Sequence, residues 1–168
     1  LTTSSAASDV YKRQELMYES FFKILKGVPL TLEVVFISTL LGFGLAIIVA
    51  LMRISDNKLY SVPAYSFIYL IRGTPLLLQL YFVYYGISQF SFVRESFLWP
   101  ILREPFWCGI ITLTISTGAY SAEIIRGGIQ SVSQGYIESG KALGLNRFSL
   151  FFRIVMPITI RQALPAYG

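Results

Sequence analysis

The residues best able to do chemistry in this 168-residue chain lie inside or beside its apolar segments. Arg72 is followed within three residues by Pro75, which removes the backbone hydrogen bond to the carbonyl of Ile71. A charge at mid-helix in a bilayer costs about 2.5–3.5 kcal/mol on the mildest scale, so such residues are rare without a role. A broken helix beside a charge is typical of transporter sites. The predicted substrate-pathway or gating residues are Arg72, Thr74, Pro75, Glu123 and Arg126.

Two interpretations of Arg72 stay open at this stage. Its long side chain could reach the membrane interface and serve no further purpose. Alternatively it faces a site, and Glu123 at the end of another apolar segment is then its natural partner. We therefore hypothesise an ion pair between Arg72 and Glu123.

Other site chemistries find little support. The chain has no histidine and a single cysteine, Cys108, and lacks any cluster with metal-ligand spacing. Gly135 to Lys141 matches the start of a phosphate-binding loop, but Ala142 replaces the hydroxyl residue that would bind Mg²⁺. We therefore predict no metal, no cofactor and no nucleotide site, and a membrane enzyme is the least supported class.

The composition places the chain in a lipid bilayer. Apolar residues make up 54% of it and charged residues 14%, against about 25% charge in an ordinary soluble domain. This excludes a soluble globular domain and a disordered tail. The net charge of +5 is explained by basic residues of cytoplasmic loops, so no nucleic-acid partner is predicted.

The elements that must position these residues are membrane-spanning helices of about 20 residues. We predict an all-α polytopic membrane protein with three complete spans and the start of a fourth. Basic residues are more frequent after the first and third spans, which predicts an outside N-terminus and a cytoplasmic 126–161 region. Gly118 and Ala122 have the spacing of a close helix contact. The predicted segments are Val28 to Met52, Tyr65 to Gly86, Pro105 to Ile125, and Ile154 onward.

The two ends of the chain carry separate expectations. Residues 1–14 differ sharply in composition from the rest, begin with Leu and resemble a translated adaptor sequence, so we expect a non-native extension. Met17 could be the true start. Residues 18–26 are expected to form a short interfacial helix. The apolar segment stops at Gly168 without a polar tail, which suggests a truncated chain.

The segment Gln134 to Leu145 is too polar to span a membrane and too apolar for a freely solvated loop. A short helix there could dock into the groove of another protein. The alternative is a helix that lies on the lipid surface.

Recognisable motifs bear on that choice. Glu138-Ser-Gly-Lys-Ala-Leu-Gly144, nine residues and then Ile154-Val-Met-Pro157 resemble the EAA motif of ABC importer permeases. Ser139 and Gly140 stand in place of the two alanines of that motif, and Met156 in place of a leucine. The segments 72–86 and 118–132 are similar to those of the polar-amino-acid branch of that family.

This resemblance implies a type I ABC importer transmembrane domain over residues 15–168, with a cytoplasmic coupling loop at about 126–157. Its function would be that of a permease subunit that moves a polar amino acid across the bacterial cytoplasmic (inner) membrane as a multi-pass protein. Its partners would be a separate ABC ATPase, a second permease subunit and an extracytoplasmic amino-acid-binding protein. The alternative is a permease-like channel or scaffold without ATPase coupling. The implied coupling residues are Glu138, Gly140, Ala142, Leu143 and Gly144.

Overall fold

The computed structural model describes residues 2–166, with side chains described from residue 16 onward. All regular secondary structure in this range is helical, which confirms the predicted all-α class. The main helices are α1 Thr2–Ile54, α2 Lys58–Arg72, α3 Leu76–Tyr81, α4 Ser91–Arg94, α5 Trp99–Leu102, α6 Pro105–Gln130, α7 Gln134–Ala142, α8 Arg147–Leu150 and α9 Met156–Ala163.

The chain divides into two units, one ending at Phe36 and one beginning at Ile37. Residues 18–26 of the first unit belong to α1, so the separate short interfacial helix predicted there is wrong. The helix continues through Gly27 and Pro29, so these residues do not separate residues 18–26 from the rest of α1. That residues 1–14 are a non-native extension, and that the chain is cut at Gly168, stay predictions. The latter position lies outside the described residues.

Two described helices are long and apolar enough to cross a membrane, at Leu16–Ile54 and Pro105–Gln130. A third crossing is possible if Lys58–Arg72 and Leu76–Gln89 form one broken span, bent by 104°. The predicted count of three complete spans and the start of a fourth therefore stays a prediction. The predicted break of the second segment is present in the structure.

Helix α2 begins earlier than the sequence predicts. The side chain of Asn57 accepts a hydrogen bond from the Leu59 amide at 2.9 Å and caps the first turn at Lys58. Pro63 lies inside the helix and does not start it, which is why apolar content alone placed the start near Tyr65. Arg72 therefore ends α2, about 21 Å from Lys58 at 1.5 Å per residue.

The core of the second unit joins the end of α1 to α2 and α6 through small side chains. Ala46 of α1, Ala64 of α2 and Ala122 of α6 are all buried in one cluster. A Cβ atom added at Gly118 of α6 would lie 2.7 Å from Cδ2 of Leu45 of α1. Lipid provides little hydrophobic drive between helices, so association depends on such close packing.

Gln79 satisfies the backbone where α2 breaks. Pro75 has no N–H to give to the Ile71 carbonyl, and the Thr74 amide reaches that oxygen only at 3.4 Å. The side-chain Nε2 of Gln79 lies 2.7 Å from the same oxygen. It also lies 3.0 Å from the Thr74 carbonyl oxygen and 2.9 Å from the Thr74 hydroxyl. One amide side chain thus connects both sides of the bend.

We predict that Gln79→Met lowers the thermal unfolding midpoint of the full-length protein in detergent. Methionine has a similar length but no donor, so the Ile71 carbonyl would keep only the longer contacts with the Thr74 amide at 3.4 Å and the Thr74 hydroxyl at 3.3 Å. The net loss of one hydrogen bond is about 0.5–1.5 kcal/mol. Gln89→Met is the matched control, because Nε2 of Gln89 makes one exposed contact of 3.3 Å with the Tyr85 carbonyl. The loss should shrink in a Pro75→Ala background, which supplies an N–H at residue 75. Equal losses in the two glutamine variants would contradict this role.

Candidate functional site

A cavity of about 340 Å³ opens among α1, α2 and α6 of the second unit. Two of the five predicted pathway residues, Arg72 and Glu123, line it. Arg53, the last basic residue of α1, lines it as well and was not predicted as a site residue. In the sequence, Arg53 follows the first apolar segment and is explained by its position at the end of a membrane span, so nothing pointed to a further role in a site. The remaining lining residues are Tyr65, Ile68, Tyr69, Gly73 and Tyr120.

Each of the two lining arginines stacks on an aromatic ring of a neighbouring helix. Cζ of Arg53 lies 4.8 Å from the ring centroid of Tyr65, and Cζ of Arg72 lies 5.3 Å from that of Tyr120. A guanidinium over a ring face is attracted by about 0.5–2 kcal/mol, depending on its exposure to water. These contacts tie α1 to α2 and α2 to α6.

The hypothesised ion pair between Arg72 and Glu123 is not formed. Both carboxylate oxygens of Glu123 accept hydrogen bonds from the guanidinium of Arg126, one turn further along α6. Residues three apart on a helix are neighbours on its surface, so the local partner is nearer than one on α2. Arg126 also donates to the side-chain oxygen of Gln130.

Thr74 and Pro75 belong to the bend rather than to this cavity. Thr74 lines a second, mostly apolar cavity of about 710 Å³ together with Gln79 and residues of α3 and α6. Of the five predicted pathway residues, Arg72 and Glu123 thus line the first cavity and Thr74 lines the second.

Helix α7, at residues 134–142, ends in a glycine-dependent turn. Gly144 has a φ of +74°, a conformation that costs other residues about 1–2 kcal/mol. Its amide donates to the Lys141 carbonyl at 2.9 Å, and the Leu145 amide donates to the Gly140 carbonyl at 3.1 Å. This is a Schellman cap. Residues 135–141 are thus helical, whereas a phosphate-binding sequence of this type needs a loop.

The predicted coupling residues take two different positions. Gly140 is buried, and a Cβ there would lie 2.6 Å from Cδ1 of Leu150 and 2.8 Å from Cδ1 of Ile154. Leu143 is 80% exposed. Phe148 beside it is 72% exposed and was not singled out by the sequence. The remaining predicted residues, Glu138, Ala142 and Gly144, are exposed.

Residues 42–168 match the family of binding-protein-dependent transport system inner membrane components. The chain belongs to this family. The apolar helices of the chain fit an inner membrane component.

Named relatives agree with this family. The chain is 54% identical to the nopaline transport system permease protein NocM of Agrobacterium fabrum, over 92% of this chain and 64% of that protein. It is 39% identical to the histidine/lysine/arginine/ornithine transport system permease protein HisM of Escherichia coli, over 84% of this chain and 60% of that protein. The chain thus spans somewhat less than two thirds of the length of these relatives.

A solved structure shares the fold. It is described as a crystal structure of an amino acid ABC transporter with histidines, and it superposes with a TM-score of 0.68 at 34% identity. The match covers 87% of this chain and 67% of the other.

We predict that Gly140→Ala loosens the packing of α7 on the helical segment that follows it, because the added Cβ would displace Leu150 and Ile154. Gly135→Ala is the matched control, since its Cβ would meet only the Ser133 hydroxyl at 3.6 Å. Amide hydrogen exchange of residues 136–145 in the full-length protein should speed up about tenfold in the first variant, the equivalent of about 1.4 kcal/mol. Unchanged exchange in Gly140→Ala would show that the close contact is not required.

Proposed function

We propose that the chain is the greater part of a permease subunit of an ATP-driven importer for a polar amino acid. The subunit is coupled to a separate ATPase through the surface around α7. It works as a multi-pass protein in the bacterial cytoplasmic (inner) membrane, with its N-terminus outside and the 126–161 region inside.

The observation that carries this proposal is the exposed apolar surface after α7, on a chain of this family. Leu143 and Phe148 are 80% and 72% exposed, in a stretch that also carries Lys141 and Arg147. A soluble partner that covers these side chains removes apolar area from water. The Gly144 turn fixes where they are presented.

The coupling residues have separate roles in this proposal. Glu138, Ala142 and Leu143 contact the ATPase from the exposed side of α7 and its last turn. Gly144 gives the turn its shape, and Gly140 lets α7 lie against Leu150 and Ile154. A displacement of α7 then also moves the helical segment that follows, because the two are closely packed at Gly140.

The remaining partners follow from the family. Its members are inner membrane components of binding-protein-dependent systems, which supports an extracytoplasmic amino-acid-binding protein as the donor of the solute. A second permease subunit, identical or homologous, completes the passage. Relatives named for nopaline, octopine, histidine, lysine, arginine and ornithine support a solute that carries an amino acid group.

The candidate pathway consists of Arg72, Thr74, Pro75, Glu123 and Arg126. At the break before Pro75 the helical segments Lys58–Arg72 and Leu76–Gln89 are bent by 104°, and residues next to this break line both cavities. Broken helices of this kind form sites in many transporters. Glu123 and Arg126 neutralise each other's charge within one helix. If this ion pair opens, either side chain can bind a charged group of the solute.

We predict that Leu143→Asp in the full-length permease abolishes co-purification of the ATPase. Leu143 is 80% exposed, so the change leaves the fold intact, while an apolar anchor in an interface is worth about 2 kcal/mol or more. Capture of the ATPase in detergent should fall at least about tenfold. Phe148→Asp should show a smaller loss in the same direction.

Phe97→Asp is the control, because Phe97 is 86% exposed and lies on the predicted outer side. Glu138→Lys and Gly144→Asp test the other coupling residues. If the unaltered protein captures no ATPase, the alternative of a channel or scaffold without ATPase coupling replaces the proposal.

A further inference from the structure

The cavity of about 340 Å³ in the second unit carries a net positive charge. Arg53, Arg72 and Glu123 line it, and Arg126 joins it through its ion pair with Glu123. Three guanidinium groups and one carboxylate sum to +2 (three minus one). Like charges in a site of low dielectric repel each other strongly, so an anion bound there would be stabilised.

Two of these guanidinium groups lack an acidic partner. Arg53 and Arg72 form no ion pair with any residue whose side chain is described. The two guanidinium groups lie over the rings of Tyr65 and Tyr120, at 4.8 and 5.3 Å. A ring face attracts a cation but does not neutralise it. Each group therefore keeps its charge available.

Nε of Arg53 gives an independent indication of a ligand. This atom is buried and has no hydrogen-bond partner among residues 16–166. Buried donors in folded proteins are nearly always paired, and an unpaired donor on a charged group is especially costly. An oxyanion is a well-matched acceptor, since a guanidinium holds carboxylate and phosphate oxygens through paired N–H groups.

The depth of the cavity distinguishes the two oxyanions. At 1.5 Å per residue, Tyr65 lies about 10 Å and Arg72 about 21 Å along α2 from Lys58. In the proposed orientation the cavity therefore extends from the cytoplasmic ends of α1 and α2 toward the middle of a hydrocarbon layer about 30 Å thick. Lipid phosphates lie outside that layer, whereas a transported solute passes through it. A cavity of this size also lies at the lower end of the range for small-molecule sites, about 300–1,000 Å³.

We propose that this cavity binds the carboxylate of the transported solute, with Arg53 and Arg72 as its cationic contacts. The proposal rests on the proposed transport function and extends it, because it names the group of the solute that is recognised and assigns a role to Arg53. Tyr65 and Tyr120 hold the two guanidinium groups in place from the neighbouring helices.

The test uses the full-length transporter with its ATPase and binding protein in phosphatidylcholine vesicles. Uptake is measured separately for L-arginine, L-glutamate, L-glutamine and octopine. The best-transported compound is then competed with its own carboxamide, which keeps the size and loses the negative charge. The binding protein is the same in every sample, so differences between variants report the permease.

We expect Arg53→Met and Arg72→Met to reduce the preference for carboxylate over carboxamide at least about tenfold, as the loss of a charged hydrogen bond does. Arg53→Lys should keep part of the preference, since it keeps the charge. Tyr65→Leu should also keep the preference for carboxylate, because the guanidinium of Arg53 is still present. Arg103→Met is the control, since Arg103 pairs with Glu104 at 3.7 Å outside the cavity.

Three results would overturn the proposal. An unchanged preference in Arg53→Met, with a lowered unfolding midpoint, would show that the guanidinium only packs the helices. Uptake that depends on added phosphatidylglycerol in the unaltered protein but not in Arg53→Met would identify a lipid phosphate as the ligand. Uptake of none of the four compounds, with or without that lipid, would contradict the transport function itself, and ATPase capture would still report separately on the coupling surface.

Discussion

The architecture depends on one constraint of the bilayer, that every backbone polar group in the hydrocarbon must find a partner inside the protein. A chain that bends by 104° within an apolar segment needs another donor in place of the missing one. Gln79 provides it with a contact of 2.7 Å to the Ile71 carbonyl. Because the break is satisfied locally, α2 can end at Arg72 without a further helix to cover it, and two cavities can open beside it.

Close packing of small residues sets the position of the first cavity. The alanines of α1, α2 and α6 and the contact between Gly118 and Leu45 fix these helices at short range. Large polar side chains at the margin of this contact cannot enter it, and they gather where the helices separate. Arg53, Arg72 and Glu123 occupy that margin. The helices are therefore in close contact where their residues are glycine and alanine, and the cavity lies where the facing residues are arginine and tyrosine.

Much of this could be predicted from the sequence, because the physical signals are local. The break at Pro75, the turn at Gly144 and the close contact at Gly118 each follow from one residue type and its backbone or steric property. The sequence alone could not predict that Glu123 pairs with Arg126 and not with Arg72. Both arginines were sterically reasonable partners, and only the distance between helices decides between them. The same holds for Gln79 and Arg53, whose roles depend on atoms eight or more residues away in the chain.

The coupling surface and the cavity are connected through a continuous line of packed atoms. Gly140 of α7 lies beneath Leu150 and Ile154, and the segment they belong to continues into α9. Thr159 of α9 then lies so close to Gly128 of α6 that a Cβ there would be 3.0 Å away. Gly128 is less than two turns from Glu123 on the same helix. Packed interiors transmit displacement because they are nearly incompressible, so in the proposed function a partner that moves α7 acts through α9 on the helix that carries Glu123.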